Sequence, residues 1–125
     1  MNTYEVGKKL VDLCKAKKHW EAINTLYSPK IVSVEAQGSP QMPARMEGIA
    51  AVKGKTEWWE KNHKVHGQEI EGPWPHGDRF IVRFKYDVEG IDGPMKGKRM
   101  MLDETGLYTV KDGKVVQEEF FYHMG

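Results

Sequence analysis

The sequence predicts one α+β domain, in which helices come first and an antiparallel sheet completes the chain. In the first half, apolar residues recur every three or four positions, which is the spacing of one buried helix face. After residue 63 the apolar residues recur at every second position, as in strands of a sheet that is covered on one side. Turn signals rich in glycine, proline and aspartate separate these later segments, so we expect four strands there.

Length and charge limit the chain to a single domain, residues 1–125. The 125 residues carry 19 basic and 18 acidic side chains, and the formal net charge is +1. A chain of this size can bury its own core without a metal or a disulfide. The interspersed, balanced charges argue against nucleic acid or an anionic membrane as a partner. With the single Cys14 and neither a signal peptide nor a long apolar run, we expect a cytoplasmic protein.

Two helices and a strand are predicted at the start of the chain. Residues 3–15 place their apolar side chains on one helix face, with Thr3 available as the N-cap. Residues 18–26 form a second, shorter helix, which the following Ser-Pro pair at residues 28–29 ends. Residues 31–35 are rich in β-branched side chains, which favours a strand.

A loop and a third helix follow that strand. Residues 36–45 contain Gly38, Pro40 and Pro43, which predicts an irregular loop. Residues 47–63 again show the helical spacing, which predicts a helix with one buried face. The positions on that face are Ile49, Val52, Thr56, Trp59 and His63.

The alternation in the later strands predicts which side chains face the helices. The inward row of one strand is Phe80, Val82, Phe84, Tyr86 and Val88. The opposite phase would bury Arg79, Arg83 and Lys85 without partners, at a cost of several kcal/mol each. The same argument turns the row Met100, Leu102, Glu104 and Tyr108 inward on the next strand. On the last strand the two rows differ too little in polarity for the pattern to choose.

Four motifs carry a resemblance to a known family. They are Glu47-Gly48-Ile49-Ala50-Ala51-Val52, Trp58-Trp59, Gly97-Lys98-Arg99 and the hairpin from Tyr108 to Val116. Together with the order of elements, they resemble SnoaL-like and ketosteroid-isomerase-like members of the nuclear-transport-factor-two-like superfamily. The resemblance spans nearly the whole chain. It implies a cone-shaped, cystatin-like roll, in which a curved antiparallel or mixed sheet wraps around three N-terminal helices and encloses a cavity.

The resemblance also selects the candidate site residues. Its hairpin register favours the last-strand row Val116, Glu118, Phe120, Tyr122 and Met124. Glu118 then shares the cavity with Glu104, and these two are the candidate catalytic residues. The candidate ligand-binding residues are Trp59, Phe80, Phe84, Tyr108, Phe120, Tyr122 and Glu35. The isomerase's own tyrosine and second acid fall near Leu10 and Gly106, so only Glu35 could replace its base, and the cyclases' catalytic aspartate falls at Phe120.

Carboxyl groups in an apolar cavity have raised pKa values, which suits proton transfer. The resemblance therefore implies a small-molecule-binding SnoaL-like protein that acts on an apolar, ring-containing molecule. Its activity would be that of an isomerase, cyclase or lyase, moving a proton next to a carbonyl without a cofactor. Relatives pair through the outer sheet face, so a homodimer is implied, with Ile81, Leu107 and Phe121 at the contact.

Two alternatives stay open at this point. Glu104 and Glu118 could instead be structural carboxylates, satisfied by Arg45, Arg99, a tyrosine hydroxyl or water. The domain would then be a non-catalytic ligand-binding or dimeric association module. No metal site is predicted, because His63 and His66 lack further ligands at a metal-binding spacing.

Overall fold

The computed structural model describes residues 1–40 and 42–123, and over these residues three helices pack against one six-stranded sheet. The helices are α1 (Thr3–Lys15), α2 (His19–Leu26) and α3 (Ile49–Asn62). The strands are β1 (Tyr27–Val34), β2 (Arg45–Glu47), β3 (His63–His76), β4 (Arg79–Gly90), β5 (Arg99–Lys111) and β6 (Lys114–Phe121). A short 3-10 helix covers Gly93–Met95. Met124, assigned above to the last strand, lies outside the described residues.

The sheet is mixed, with strand order β2-β1-β6-β5-β4-β3. Strands β1 and β6 pair in parallel, and every other neighbouring pair in this order is antiparallel. Helix α1 packs against β3 and β4, and α3 packs against β1. Helices on one face of a largely antiparallel sheet make an α+β roll, which confirms the predicted fold class.

The N-cap of helix α1 lies one residue earlier than predicted. Asn2 is the N-cap: its side chain accepts a hydrogen bond from the backbone N–H of Glu5 at 2.8 Å. The Glu5 carboxylate in return accepts from the backbone N–H of Asn2 at 3.0 Å. This reciprocal pair satisfies two N–H groups that a helix start leaves free. Thr3, the predicted cap, is therefore the first helical residue.

Two strand boundaries differ from the prediction. Strand β1 begins at Tyr27, directly after α2, and it accommodates Pro29 because its pairing with β6 is irregular between Tyr27 and Val32. The predicted loop ends in the short strand β2, which pairs with the end of β1. Helix α3 then begins only after Gly48, whose φ of +91° suits glycine at this change of direction.

The inward rows follow the predicted phase on β4 and depart from it at one point on β6. Phe80, Val82, Phe84 and Val88 are all buried, which confirms the row on β4. On β6, Val115 is buried where Val116 was expected. The register between β5 and β6 shifts between Thr109 and Val110, so one extra residue reverses the side-chain phase. Beyond that bulge, Glu118 pairs with Tyr108 and is buried.

Candidate functional site

A cavity of about 610 Å³ lies between the inner sheet face, α3 and the loops around Met42 and Pro94. Its volume falls within the range of roughly 300–1,000 Å³ that is typical of small-molecule sites. Eight of the sequence-predicted candidates line it: Glu35, Trp59, Phe84, Glu104, Tyr108, Glu118, Phe120 and Tyr122. The neighbouring strands β5 and β6 thus bring the two candidate catalytic carboxyl groups to one cavity.

Phe80, also predicted to contact a ligand, does not line this cavity. It is 1% exposed and stacks on Tyr108, with ring centroids 4.9 Å apart. The Phe80 ring also lies against Gly7 of α1, so closely that a side chain at residue 7 would collide with the ring. Phe80 is on the predicted inward face, but it lies near the start of β4, where α1 covers the sheet. Its role is therefore in the core, behind Tyr108.

Glu118 is fully engaged by protein groups. The hydroxyl of Tyr27 donates a short hydrogen bond to its Oε1. The hydroxyl of Ser33 donates to its Oε2 at 2.7 Å, and the ammonium of Lys55 lies 3.4 Å from the same oxygen. The Glu118 side chain is only 3% exposed. Three donors thus surround one buried carboxyl group and engage both of its oxygens.

Lys55 is the functional residue that sequence reasoning missed. Its Nζ donates to Ser33 at 2.7 Å and to Glu35 at 2.9 Å, in addition to its contact with Glu118. The same Nζ lies 5.0 Å from the centroid of the Phe120 ring, within cation–π range. Burial disfavours the ammonium, but the carboxylates of Glu118 and Glu35 outweigh burial and raise the pKa of Lys55. A cation is therefore held inside the cavity wall.

A sequence signal for Lys55 did exist. It lies three residues after Val52 and four before Trp59, on the predicted buried face of the third helix. A lysine on a buried face requires an anionic partner nearby, and the spacing of apolar residues does not indicate which residue that partner is.

Glu104 has quite different surroundings. It lies on β5 opposite Phe84 and lines the cavity. Within residues 1–40 and 42–123 its side chain makes no hydrogen bond or ion pair. Burial raises the pKa of Glu104 to about 7; the negative charge of Glu35 adds to this rise, whereas Lys55 opposes it. A carboxyl group of this pKa can give or take a proton near neutral pH.

The arginines proposed above as structural partners lie elsewhere. Arg45 pairs with Glu47 at 3.0 Å, and Arg99 pairs with Asp87 at 2.9 Å, both near the surface. Among the protein groups named there, a tyrosine hydroxyl, that of Tyr27, contacts Glu118 in the described part of the chain. The two carboxyl groups therefore belong to different environments.

Three further groups at the cavity have altered acidity. Burial raises the pKa values of Tyr108 and Tyr122, and the negative charge of Glu35 contributes at Tyr122. Burial also raises the pKa of the Cys14 thiol to about 12. All three groups keep their protons at neutral pH, so Cys14 is not an activated nucleophile.

Aromatic side chains line the cavity at the end of α3. Trp59 stacks on His63 with ring centroids 3.9 Å apart, and Trp58 meets the edge of the same imidazole at 5.7 Å. All three residues contribute to the lining. Nearby, Glu60 accepts hydrogen bonds from the indole of Trp20 at 2.5 Å and is 2.8 Å from Nε2 of His19, which ties α2 to α3.

The family assignment follows from comparison with known proteins. Residues 1–122 match the model of the SnoaL-like domain family, so the chain belongs to that family. This confirms the resemblance seen in the sequence. No match was found among curated proteins.

Solved structures show the same architecture. A Mesorhizobium loti protein, described as a SnoaL-like polyketide cyclase and also as a carbohydrate phosphatase, is 39% identical, with a TM-score of 0.90 over 98% of this chain and 100% of that one. A Xanthomonas campestris protein of unknown function with a cystatin-like fold is 17% identical, with a TM-score of 0.77 over 98% and 91%. A Catenulispora acidiphila protein with a ketosteroid isomerase-like fold is 16% identical, with a TM-score of 0.65 over 82% and 74%.

The residues with described positions give no support for a membrane-spanning helix or for a metal site. They contain no helix long and apolar enough to cross a membrane. Nor do they include three His, Cys, Asp or Glu side chains grouped as metal ligands.

Proposed function

We propose that this SnoaL-like protein binds an apolar, ring-containing small molecule in its cavity and transfers a proton next to the carbonyl of that molecule, without a cofactor. One observation carries the proposal. The carboxyl group of Glu104 faces an apolar-walled cavity, has no side-chain partner in the described part of the chain, and has a pKa of about 7. The description of the Mesorhizobium loti relative as a SnoaL-like polyketide cyclase supports the proposal.

In the proposed reaction, Glu104 serves as both base and acid. Its ionised form takes a proton from the carbon next to the carbonyl, and the electron pair of that C–H bond moves to the carbonyl oxygen as an enolate. The protonated Glu104 then returns the proton, either to the same carbon or to another. Burial raises the pKa values of Tyr86 and Tyr108, so both hydroxyls keep their protons and can donate a hydrogen bond to the enolate oxygen.

Glu118 has a supporting role in this proposal. It was a candidate base, but the donors from Tyr27, Ser33 and Lys55 already occupy its oxygens. Taking a further proton would break this buried arrangement, at a large cost. We therefore assign Glu118 to hold Lys55, and Glu104 to move the proton.

Proton exchange on a simple ring ketone tests the proposal. In D2O, the acetyl methyl protons of 2-acetonaphthone should be replaced by deuterium faster with the protein than in buffer, as followed by proton NMR. Glu104→Gln should lose this acceleration, since general base catalysis contributes roughly 10²- to 10⁴-fold. Glu69→Gln, an exposed carboxylate on β3, is the matched control and should exchange like the native chain. No acceleration by the native chain would contradict the proposed chemistry.

A second candidate function is ligand binding without catalysis. The saturation of Lys55 and Glu118 by groups of the protein itself favours it, because such a network can serve structure alone. In that case 2-acetonaphthone binds, but its methyl protons exchange at the rate seen in buffer. Binding and exchange measured on one probe therefore separate the two functions.

A further inference from the structure

The Lys55 ammonium has no hydrogen-bond donor left for a ligand. An ammonium carries three N–H groups, and Nζ of Lys55 has three acceptors: Ser33 at 2.7 Å, Glu35 at 2.9 Å and Glu118 at 3.4 Å. Its side chain is 15% exposed, and the Phe120 ring lies 5.0 Å away. A lysine in a cavity wall commonly binds an anion, but here groups of the protein itself accept all three N–H groups of Lys55.

The charges around the cavity add to this effect. The carboxylates of Glu35 and Glu118 outnumber the single ammonium between them, and the other lysine of the lining, Lys17, is exposed to solvent in the turn after α1. Glu104, on the adjacent strand, contributes further negative charge whenever it is ionised. A carboxylate or phosphate entering this cavity would lose its hydration, meet like charges and find no free donor at Lys55.

We infer that the cavity selects uncharged carbonyl compounds over anionic ones, and that Glu35 is a specificity-determining residue because it occupies the Lys55 ammonium. This inference rests on the proposed ligand-binding function and specifies its substrate class. Glu35 differs from Glu118 in its position. Its side chain is 22% exposed and it lines the cavity at the end of β1, whereas the side chain of Glu118 is 3% exposed.

Removal of the Glu35 charge should therefore change ligand selection. In Glu35→Gln, the Lys55 N–H that points to Glu35 loses its ionic acceptor and can donate to a ligand carboxylate instead. The Glu118 and Ser33 contacts remain, so the ammonium stays in place. The expected result is a cavity that accepts an anion of the same shape as its neutral ligand.

Two probes of nearly the same shape test this inference. 2-Acetonaphthone carries a neutral acetyl group, and 2-naphthoate carries a carboxylate at the same ring position. Binding of each is followed by quenching of the fluorescence of Trp58 and Trp59, which line the cavity, and by NMR titration. The native chain should bind 2-acetonaphthone at least about tenfold more tightly, because like charges disfavour the carboxylate. Glu35→Gln should shift the ratio of the two affinities by about tenfold in favour of 2-naphthoate.

A matched control separates the local effect from a change in net charge. Glu47→Gln removes one carboxylate from the neighbouring strand β2, outside the cavity lining, and should leave both affinities unchanged. Thermal unfolding of each variant shows whether it is folded. If Glu35→Gln unfolds, the comparison of the two probes on the native chain still decides the selection.

The outcomes distinguish this inference from the proposed function. Binding of 2-naphthoate to the native chain as tightly as 2-acetonaphthone would overturn the inference and leave ligand binding intact. An unchanged preference in folded Glu35→Gln would overturn the role of Glu35. Binding of 2-acetonaphthone without proton exchange would overturn the proposed catalysis but not the selection. Binding of neither probe would overturn both.

Discussion

At the scale of single residues, Glu104 and Glu118 show how surroundings divide the roles of two identical functional groups. Each lies on an inward strand position and lines the same cavity. Glu118 is surrounded by a hydroxyl from β1, a second hydroxyl from the start of that strand, and an ammonium from α3. Glu104 is desolvated without such donors, so its proton is held more tightly. The carboxyl group without donors is the one suited to exchange a proton.

The raised pKa of Glu104 leads to a prediction about stability. Its folded pKa of about 7 lies above the unfolded value of 4.5, so the folded chain binds the proton more tightly. The stability that this group contributes is fully present below pH 4.5 and is lost as the pH rises through about 7. Glu104→Gln cannot ionise, so it should be more stable than the native chain at pH 8, by up to about 3 kcal/mol, and similar to it at pH 4.

Urea unfolding at pH 4 and pH 8 measures this difference. Glu69→Gln, exposed on β3, provides the control and should show no comparable pH-dependent gain. Equal effects of Glu104→Gln at both pH values would mean that the Glu104 carboxyl group is solvated like an ordinary surface acid.

At the scale of the elements, strand phase was predictable where charges oppose apolar side chains. On β4, the arginines of one row fix the direction of the other, so the buried row follows from the sequence alone. On β6, a bulge reverses the phase between Val115 and Glu118. No residue pattern marks this bulge, and the resemblance placed Glu118 correctly only because family register carries that information. Lys55 was missed since its partners come from strands that are distant in sequence.

The β5–β6 hairpin allows a prediction at a single glycine. A Cβ on Gly106 would lie 2.7 Å from the Tyr108 ring and 3.2 Å from the Phe120 ring, and both rings line the cavity. Gly106→Ala must therefore displace packed aromatic rings, and it should destabilise the protein by about 1–3 kcal/mol and weaken 2-acetonaphthone binding. Urea unfolding and the fluorescence titration check both effects.

Gly67 on β3 is the matched control for this substitution. A Cβ there would lie 4.0 Å from Asp87 and meet no closer neighbour among the described residues. Gly67→Ala should therefore leave stability the same or slightly higher, because alanine restricts the unfolded chain more than glycine does. If both variants changed stability and 2-acetonaphthone binding equally, contact with the aromatic rings would not explain the effect of Gly106→Ala.

At the scale of the whole molecule, the outer face of the sheet exposes apolar side chains. Ile81 is 39% exposed and Phe121 is 53% exposed, and Leu107 lies between them as the strand partner of Ile81. One charged pair beside them is already satisfied, since Arg83 makes two hydrogen bonds to Asp103, at 3.0 and 2.7 Å. A second copy of the chain can therefore cover these two residues without burying an unpaired charge at that point.

We accordingly predict a homodimer related by a two-fold axis through this face. Around such an axis the same patch of both copies forms the contact, so Phe121→Lys removes apolar contact from both sides and introduces two like charges into one interface. This variant should dissociate at concentrations where the native chain remains dimeric in sedimentation velocity and light scattering. Tyr4→Lys on α1, a comparably exposed aromatic residue on another surface, should not change the association. A native chain that stays monomeric at all concentrations would contradict the dimer, and a dimer unaffected by Phe121→Lys would place the contact on a different face.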